Sequence, residues 1–204
     1  KSLMLLGTSE GIQGLIALAD VLKPVSSDVV RDLQGMGLEV MMLTGDNVNT
    51  ATAIARAAGI ARVESDVLPT DKSEAIRKIQ STGRVVAMVG DGVNDAPALS
   101  QADIGVAIGA GTDVAIKSAD IILVKSNPID VVKIVKLSKA TYKKMIQNLI
   151  WAAGYNVLVI PLAAGVLFSV GIVVAPALGA AIMSISTIVV ALNAQLLRRA
   201  DLSS

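Results

Sequence analysis

The chain has 204 residues, enough for one large domain or two small ones, and sets 18 Lys and Arg against 17 Asp and Glu. A balance so near neutral argues against nucleic acid as a partner, and an aromatic content of 2% leaves no base-stacking platform. Cys and His are absent, which removes disulfides, thiolate and imidazole catalysis and the usual zinc ligands.

In chain order, "KSLMLLGTSEGIQGLIALAD" predicts two strands joined by a turn between Gly7 and Gly11. We assign residues 1–19 to the trailing edge of a different domain, because the strand pair ends before the next helix, and Lys1, not a natural start, suits an expected cut N-terminus. A helix follows in "LKPVSSDVVRDLQGMG". Short apolar runs then alternate with amphipathic segments: "EVMMLTGD", "NVNTATAIARAAG", "DKSEAIRKIQ", "RVVAMVGDG", "PALSQ", "ADIGVAIG", "TDVAIKSA" and "DIILVK". This order predicts an α/β domain over residues 20–138, a parallel sheet with helices on both faces. Ligands in such domains lie beyond the carboxyl ends of the strands, where the turns at Asp46 and Asp91 fall.

Behind Pro128 a helix is expected to run, stalk-like and without a breaker, into a stretch from Met145 to Leu197 that has no charged residue. A bilayer-spanning helix needs about 20 apolar residues, so this stretch holds two, and residues 139–204 form the stalk and a membrane hairpin. The overall hydrophobic content of 53% and mean hydropathy of +0.65 are concentrated here. Lys136, Lys139, Lys143 and Lys144 precede the stretch and Arg198 and Arg199 follow it, which predicts both ends in the cytoplasm and the turn near Ser169 to Pro176 on the other side.

The chemistry is concentrated in "VGDGVNDAPAL". Asp91, Asn94 and Asp95 crowd behind a buried strand, and hard divalent ions such as Mg²⁺ are held by one or two carboxylates together with a phosphate. Upstream, "MLTGD" offers the Thr44 hydroxyl and the Gly45 amide to phosphate oxygens, and Lys72 is placed to neutralise developing negative charge. Each element has a plainer reading: a Gly-Asp-Gly turn also ends a strand, and Thr44 also suits the neighbourhood of a helix cap. Asp71 reads as a helix N-cap rather than as a nucleophile. In this order, Thr44, Lys72 and Asp91 point to a phosphoryl-transfer site whose carboxylate nucleophile is expected upstream of Lys1.

In the hairpin, "WAAGYNVLVIPLAAG" places Tyr155 and Asn156 about 15 Å into the first span by helical rise. "AIMSISTIVVALNAQLLRR" places Met183, Ser184, Ser186 and Thr187 at a comparable depth in the second. Taken singly they are interhelical glue and filler. Polar groups meeting near the midplane from both spans point instead to an ion path. The Met183 thioether favours a soft metal, copper above all.

"LTGD" and "GDGVNDAPAL" resemble the hinge motifs of P-type ATPases, whose phosphorylation domain is haloacid dehalogenase-like, and the following hairpin matches that superfamily. The pairing of "YN" with "MSIST" is similar to the last core helices of its heavy-metal branch, closest to copper exporters of the Cys-Pro-His type. The resemblance covers essentially the whole chain as a C-terminal portion and implies ATP-driven copper export through an aspartyl phosphate. It makes Asp91 the main Mg²⁺ ligand, supported by Asn94 and Asp95. Thr44, Gly45 and Lys72 serve the phosphoryl group, and Asp46 helps close a nucleotide domain over the site. Tyr155, Asn156, Met183, Ser184, Ser186 and Thr187 become contacts of the transported copper. It further implies ATP as cosubstrate, membrane lipid as surroundings, and upstream actuator, nucleotide-binding and transmembrane parts. A copper chaperone as partner and a prokaryotic cell membrane as location complete that expectation. A membrane-tethered dehalogenase-like phosphatase, a P-type ATPase for another heavy metal and a non-catalytic metal-binding module are the alternatives.

Overall fold

The computed structural model describes residues 2–9, 11–18, 22–91, 94–109, 117–171 and 175–200. Two compact units divide the chain, residues 1–132 and 133–204.

The first unit opens with an antiparallel hairpin, β1 (Ser2–Thr8) and β2 (Gly11–Leu18), in which Thr8 pairs with Gly11. The turn is thus tighter than expected, since Gly7 is still paired, and the register slips between Leu6 and Gly7. Helices and short strands then alternate: α1 (Ser26–Gly35), β3 (Met41–Leu43), α2 (Val48–Ala58), β4 (Arg62–Glu64), α3 (Lys72–Gln80), β5 (Ala87–Gly90), α4 (Ala96–Gln101), β6 (Ile104–Ile108) and β7 (Ile121–Leu123). All pairings after the hairpin are parallel, as expected, but they fall in two sets, β3 with β4 and β5 with β6 and β7. Strand β4 was not legible: Arg62 and Glu64 flank a single Val63, too short for an apolar run. Most of the expected helix "TDVAIKSA" lies outside the described residues.

The core is built largely from small side chains. Ala51, Ala55 and Ala58 share one face of α2 and are fully buried, as are Ile76 of α3 and Ala98 and Leu99 of α4. Small residues let helices lie close to strands. A Cβ on Gly105 of β6 would stand 2.6 Å from the Leu99 carbonyl oxygen, so α4 sits on β6 only because that position is glycine. Asn47 caps α2, its Oδ1 accepting from the Thr50 N–H at 3.0 Å. Asp71 holds the corresponding place before α3 but makes no capping bond; its carboxylate accepts instead from the Thr70 hydroxyl, a correction to the sequence reading. Two carboxylates stitch strand ends: Asp103 accepts from the Val86 N–H and Asp120 from the Gly105 N–H, both at 2.8 Å.

Helix α5 (Ile129–Ala163) starts directly behind Pro128 and continues for 35 residues with Pro161 inside it. Its buried residue is Val132. A 3₁₀ turn at Phe168–Val170 precedes α6 (Pro176–Gln195), and a second, Leu196–Arg199, ends the described chain. Both helices are long and apolar enough to cross a membrane, and large side chains such as Val157, Leu158 and Ile185 are exposed along them. An outward apolar surface is what a lipid-facing helix requires.

Candidate phosphoryl and metal sites

Chain direction puts Thr44 directly after β3 and Asp91 directly after β5, each at the carboxyl end of a parallel strand. The Thr44 N–H bonds the Glu64 carbonyl at 3.0 Å and so prolongs the β3–β4 ladder. Its hydroxyl donates to Asp46 Oδ2 and accepts from the Asp46 N–H, both at 3.1 Å, folding "TGD" into a compact loop. A second segment braces that loop: the Asp66 N–H donates to the Asp46 carbonyl at 2.9 Å and the Val67 N–H to the Thr44 carbonyl at 3.1 Å. Asp66 reaches this position with φ of 55°, a left-handed backbone that costs a non-glycine residue about 1 kcal/mol or more.

At the second loop, Lys72 Nζ donates to Asp95 Oδ1 at 2.6 Å, and both side chains are only 14% exposed. The pair joins the N-terminal ends of α3 and α4. Their far ends are tied by Gln101, whose amide donates to Gln80 Oε1 at 2.8 Å and whose carbonyl accepts from Gln80 Nε2 at 3.1 Å. Gly90 makes the close approach possible: a Cβ there would lie 2.5 Å from Asp95 Oδ2 and 2.8 Å from its Cβ. The carboxylate that holds Lys72 is therefore seated on the bare backbone at the end of β5. Asp91 and Asn94 are exposed beside it, while Gly92 and Val93 lie outside the described residues.

This donor set suits a magnesium ion. The oxygens of Asp91 and Asn94 stand open to solvent, whereas Asp95 is committed to Lys72. Among the described residues no three acidic, His or Cys side chains converge, so the protein itself offers few ligands. Mg²⁺ accepts that arrangement, completing its octahedron with waters and phosphate oxygens.

In the hairpin, Ser184 and Thr187 donate to the Ala180 and Met183 carbonyls one turn back, both at 3.1 Å, which leaves their oxygen lone pairs available. Met183 is 64% exposed, so its thioether is not packing against this chain. The Tyr155 hydroxyl is buried and has no hydrogen-bond partner among the described residues. Ser186 is half-buried and Asn156 exposed.

Sequence reasoning missed three features: the bracing Asp66–Val67 segment, the mutual pairing of Lys72 with Asp95, and a polar chain between α5 and α6. In that chain Lys144 Nζ donates to Asn193 Oδ1 at 2.9 Å and Asn193 Nδ2 to Asn148 Oδ1 at 2.7 Å. The four-residue spacing of Lys144 and Asn148, with Asn193 near the end of the second apolar run, was the available signal.

Comparison with known proteins gives a consistent set of relatives. Residues 6–103 match the haloacid dehalogenase-like hydrolase family. The chain is 55% identical over 92% of its length to copper-exporting P-type ATPase B of Archaeoglobus fulgidus. It is 48% identical over 93% of its length to the protein of the same description from Enterococcus hirae. It covers 27% and 26% of these two proteins, about a quarter of their length. Among solved structures, a zinc-transporting PIB-type ATPase in an E2.Pi state superposes with a TM-score of 0.82 at 33% identity, covering 96% of this chain and 31% of that one.

Proposed function

The chain belongs to the P-type ATPase family, and from that premise we propose that it is the part of a copper exporter that carries the phosphate and magnesium loops and the last membrane hairpin. The observation that carries the reading is the Lys72–Asp95 pair beside Asp91 at the end of β5, on the same chain as two helices long and apolar enough to cross a membrane, which carry Tyr155 and Met183.

In the intact protein the γ-phosphoryl group of ATP passes to an aspartate outside this chain and is later hydrolysed. Thr44 and Gly45 bind phosphoryl oxygens in a loop held rigid by Asp46 and by the Asp66–Val67 brace. Lys72 offsets the negative charge that builds on the phosphoryl oxygens, and Asp95 fixes where its ammonium stands. Asp91 and Asn94 would hold Mg²⁺, which when bound supplies charge neutralisation between phosphate and carboxylate. Asp46 also meets the nucleotide domain. We assign β1 and β2 to the edge of that domain, since Met4, Leu5, Ile12 and Ile16 are exposed and call for a covering neighbour.

The transported copper is met in the membrane by Tyr155, Asn156, Met183, Ser184, Ser186 and Thr187. The orphaned Tyr155 hydroxyl and the outward Met183 sulfur support this, because both present unused donor atoms where hydrocarbon offers no partner. The basic residues flanking the spans support cytoplasmic ends for the hairpin. Upstream actuator, nucleotide-binding and transmembrane parts complete the machine, and a copper chaperone delivers its cargo.

The test is phosphoenzyme formation from ATP by the intact protein with and without copper. Copper should stimulate labelling in wild type, and Asp91→Asn, which keeps shape but removes a carboxylate, should abolish it. Normal labelling of a folded Asp91→Asn protein would remove Asp91 from the magnesium site. Labelling indifferent to copper would favour a tethered phosphatase.

A further inference from the structure

The charged end of the hairpin contains two openings apart from the residues assigned to the transported ion. One, of about 260 Å³, is lined by Lys143, Lys144 and Arg199 with the Gln147 amide, over a floor that includes Leu196 and Leu197. The other, of about 590 Å³, is lined by Arg198 and Arg199 with Trp151, Val189 and Leu192. Leu196 and Arg199 belong to both, so the two form one groove with a cationic mouth and an apolar flank. Among the described residues neither opening is lined by a carboxylate. Lys144 is fixed in place through Asn193, so part of the positive charge is held before any ligand arrives.

We propose that this groove binds the headgroup of an anionic phospholipid, with the phosphodiester between Lys143, Lys144 and Arg199 and an acyl chain along Trp151, Val189 and Leu192. The placement supports a lipid rather than a soluble anion. Lys143, Lys144, Arg198 and Arg199 immediately flank the uncharged stretch, so they stand at headgroup depth while the apolar lining begins at acyl depth. A phosphodiester has only acceptor oxygens, which suits three cations and an amide. Basic pockets between membrane helices bind such headgroups, and a Trp at this level is at home in the interface. The inference rests on the hairpin lying in a membrane and not on which ion it transports.

The experiment is lipid retention by the delipidated intact protein, measured by native mass spectrometry during titration with phosphatidylglycerol or phosphatidylcholine. One phosphatidylglycerol should be retained about tenfold more tightly than phosphatidylcholine, the weight of one or two basic side chains at a membrane surface. Lys143→Gln with Arg199→Gln should remove that preference, and Lys143→Arg with Arg199→Lys should keep it. Equal retention of the two lipids overturns the proposal, as does a preference that survives the loss of both charges. Displacement of the lipid by equimolar glycerophosphoglycerol, which has no acyl chains, reduces the site to an anion site and also overturns it. Should the neutral variant fail to fold, the wild-type comparison and the charge-preserving variant still decide.

Discussion

In residues 1–132 partners distant in sequence hold much of the site, Lys72 by Asp95, the Thr44 backbone by Glu64 and Val67, and Gln80 by Gln101, with the Thr44 hydroxyl alone paired locally to Asp46 among these. In residues 133–204 Ser184 and Thr187 turn back onto their own helix, while Asn193 links α6 to Lys144 and Asn148 of α5. The burial of apolar groups is also opposite, since Ala51, Ala98 and Leu99 are enclosed while Val157, Leu158 and Ile185 face outward. The difference follows from the solvent. Water competes for every polar contact in the first unit, so geometry must be enforced by tertiary pairing. Hydrocarbon offers no competition, so a helix satisfies its hydroxyls locally and keeps few groups for function.

The sharpest test of the tertiary half is Lys72→Met. Removing the ammonium takes a positioned charge from the phosphate site, and phosphoenzyme formation should slow by about 10²-fold or more. Copper binding in the membrane should be unchanged. A variant that phosphorylates normally but binds copper poorly would reverse the roles of the two units.

The local half is tested by Met183→Leu, which deletes the sulfur and conserves volume. Copper-stimulated turnover should fall by about tenfold, the lower range for loss of support at a metal site. Stability should change by less than about 1.5 kcal/mol, as for other volume-conserving swaps. An ATPase titration with Cu(I) and Cu(II) checks it, and superimposable copper responses would return Met183 to lipid-facing filler.

The smallest effect concerns Asp103. The Val86 N–H, and next the Gln80 side chain, hold its carboxyl below the ordinary carboxylate range. A folded value below the unfolded one contributes stability above the ordinary carboxylate range and loses it as pH falls through the folded value. Asp103→Ala should therefore melt slightly below wild type at neutral pH, with the gap closing in acid. A gap that is constant with pH would mean that charge plays no part.

The elements that sequence predicted well were those with a period or a run: the amphipathic segment of α2, the apolar strands β5 and β6, and the uncharged stretch of the hairpin. The candidate site was also marked out, Thr44, Lys72 and Asp91 being picked by residue type and neighbours for the chemistry proposed above. Its geometry was not. The seating of Asp95 over Gly90 depends on a contact of backbone with side chain that no spacing encodes, and the Asp66 brace depends on a left-handed residue that is not glycine. Asp71 failed as a cap because its backbone is already helical, so the carboxylate points to Thr70 instead of the first turn of α3.

Pro161 inside α5 has a consequence for the main chain itself. Proline has no N–H, so the carbonyl of Val157, four residues earlier, loses the donor that every regular helical turn supplies. In water that loss is made good by solvent, but in hydrocarbon an unmet carbonyl costs several kcal/mol unless another group comes to it. The oxygen follows Asn156 by a single residue. The helix thus exposes a backbone dipole next to its most polar side chains, which makes this turn of α5 both the least self-sufficient in the span and the one most ready to accept a cation, a water or a donor from a neighbouring helix.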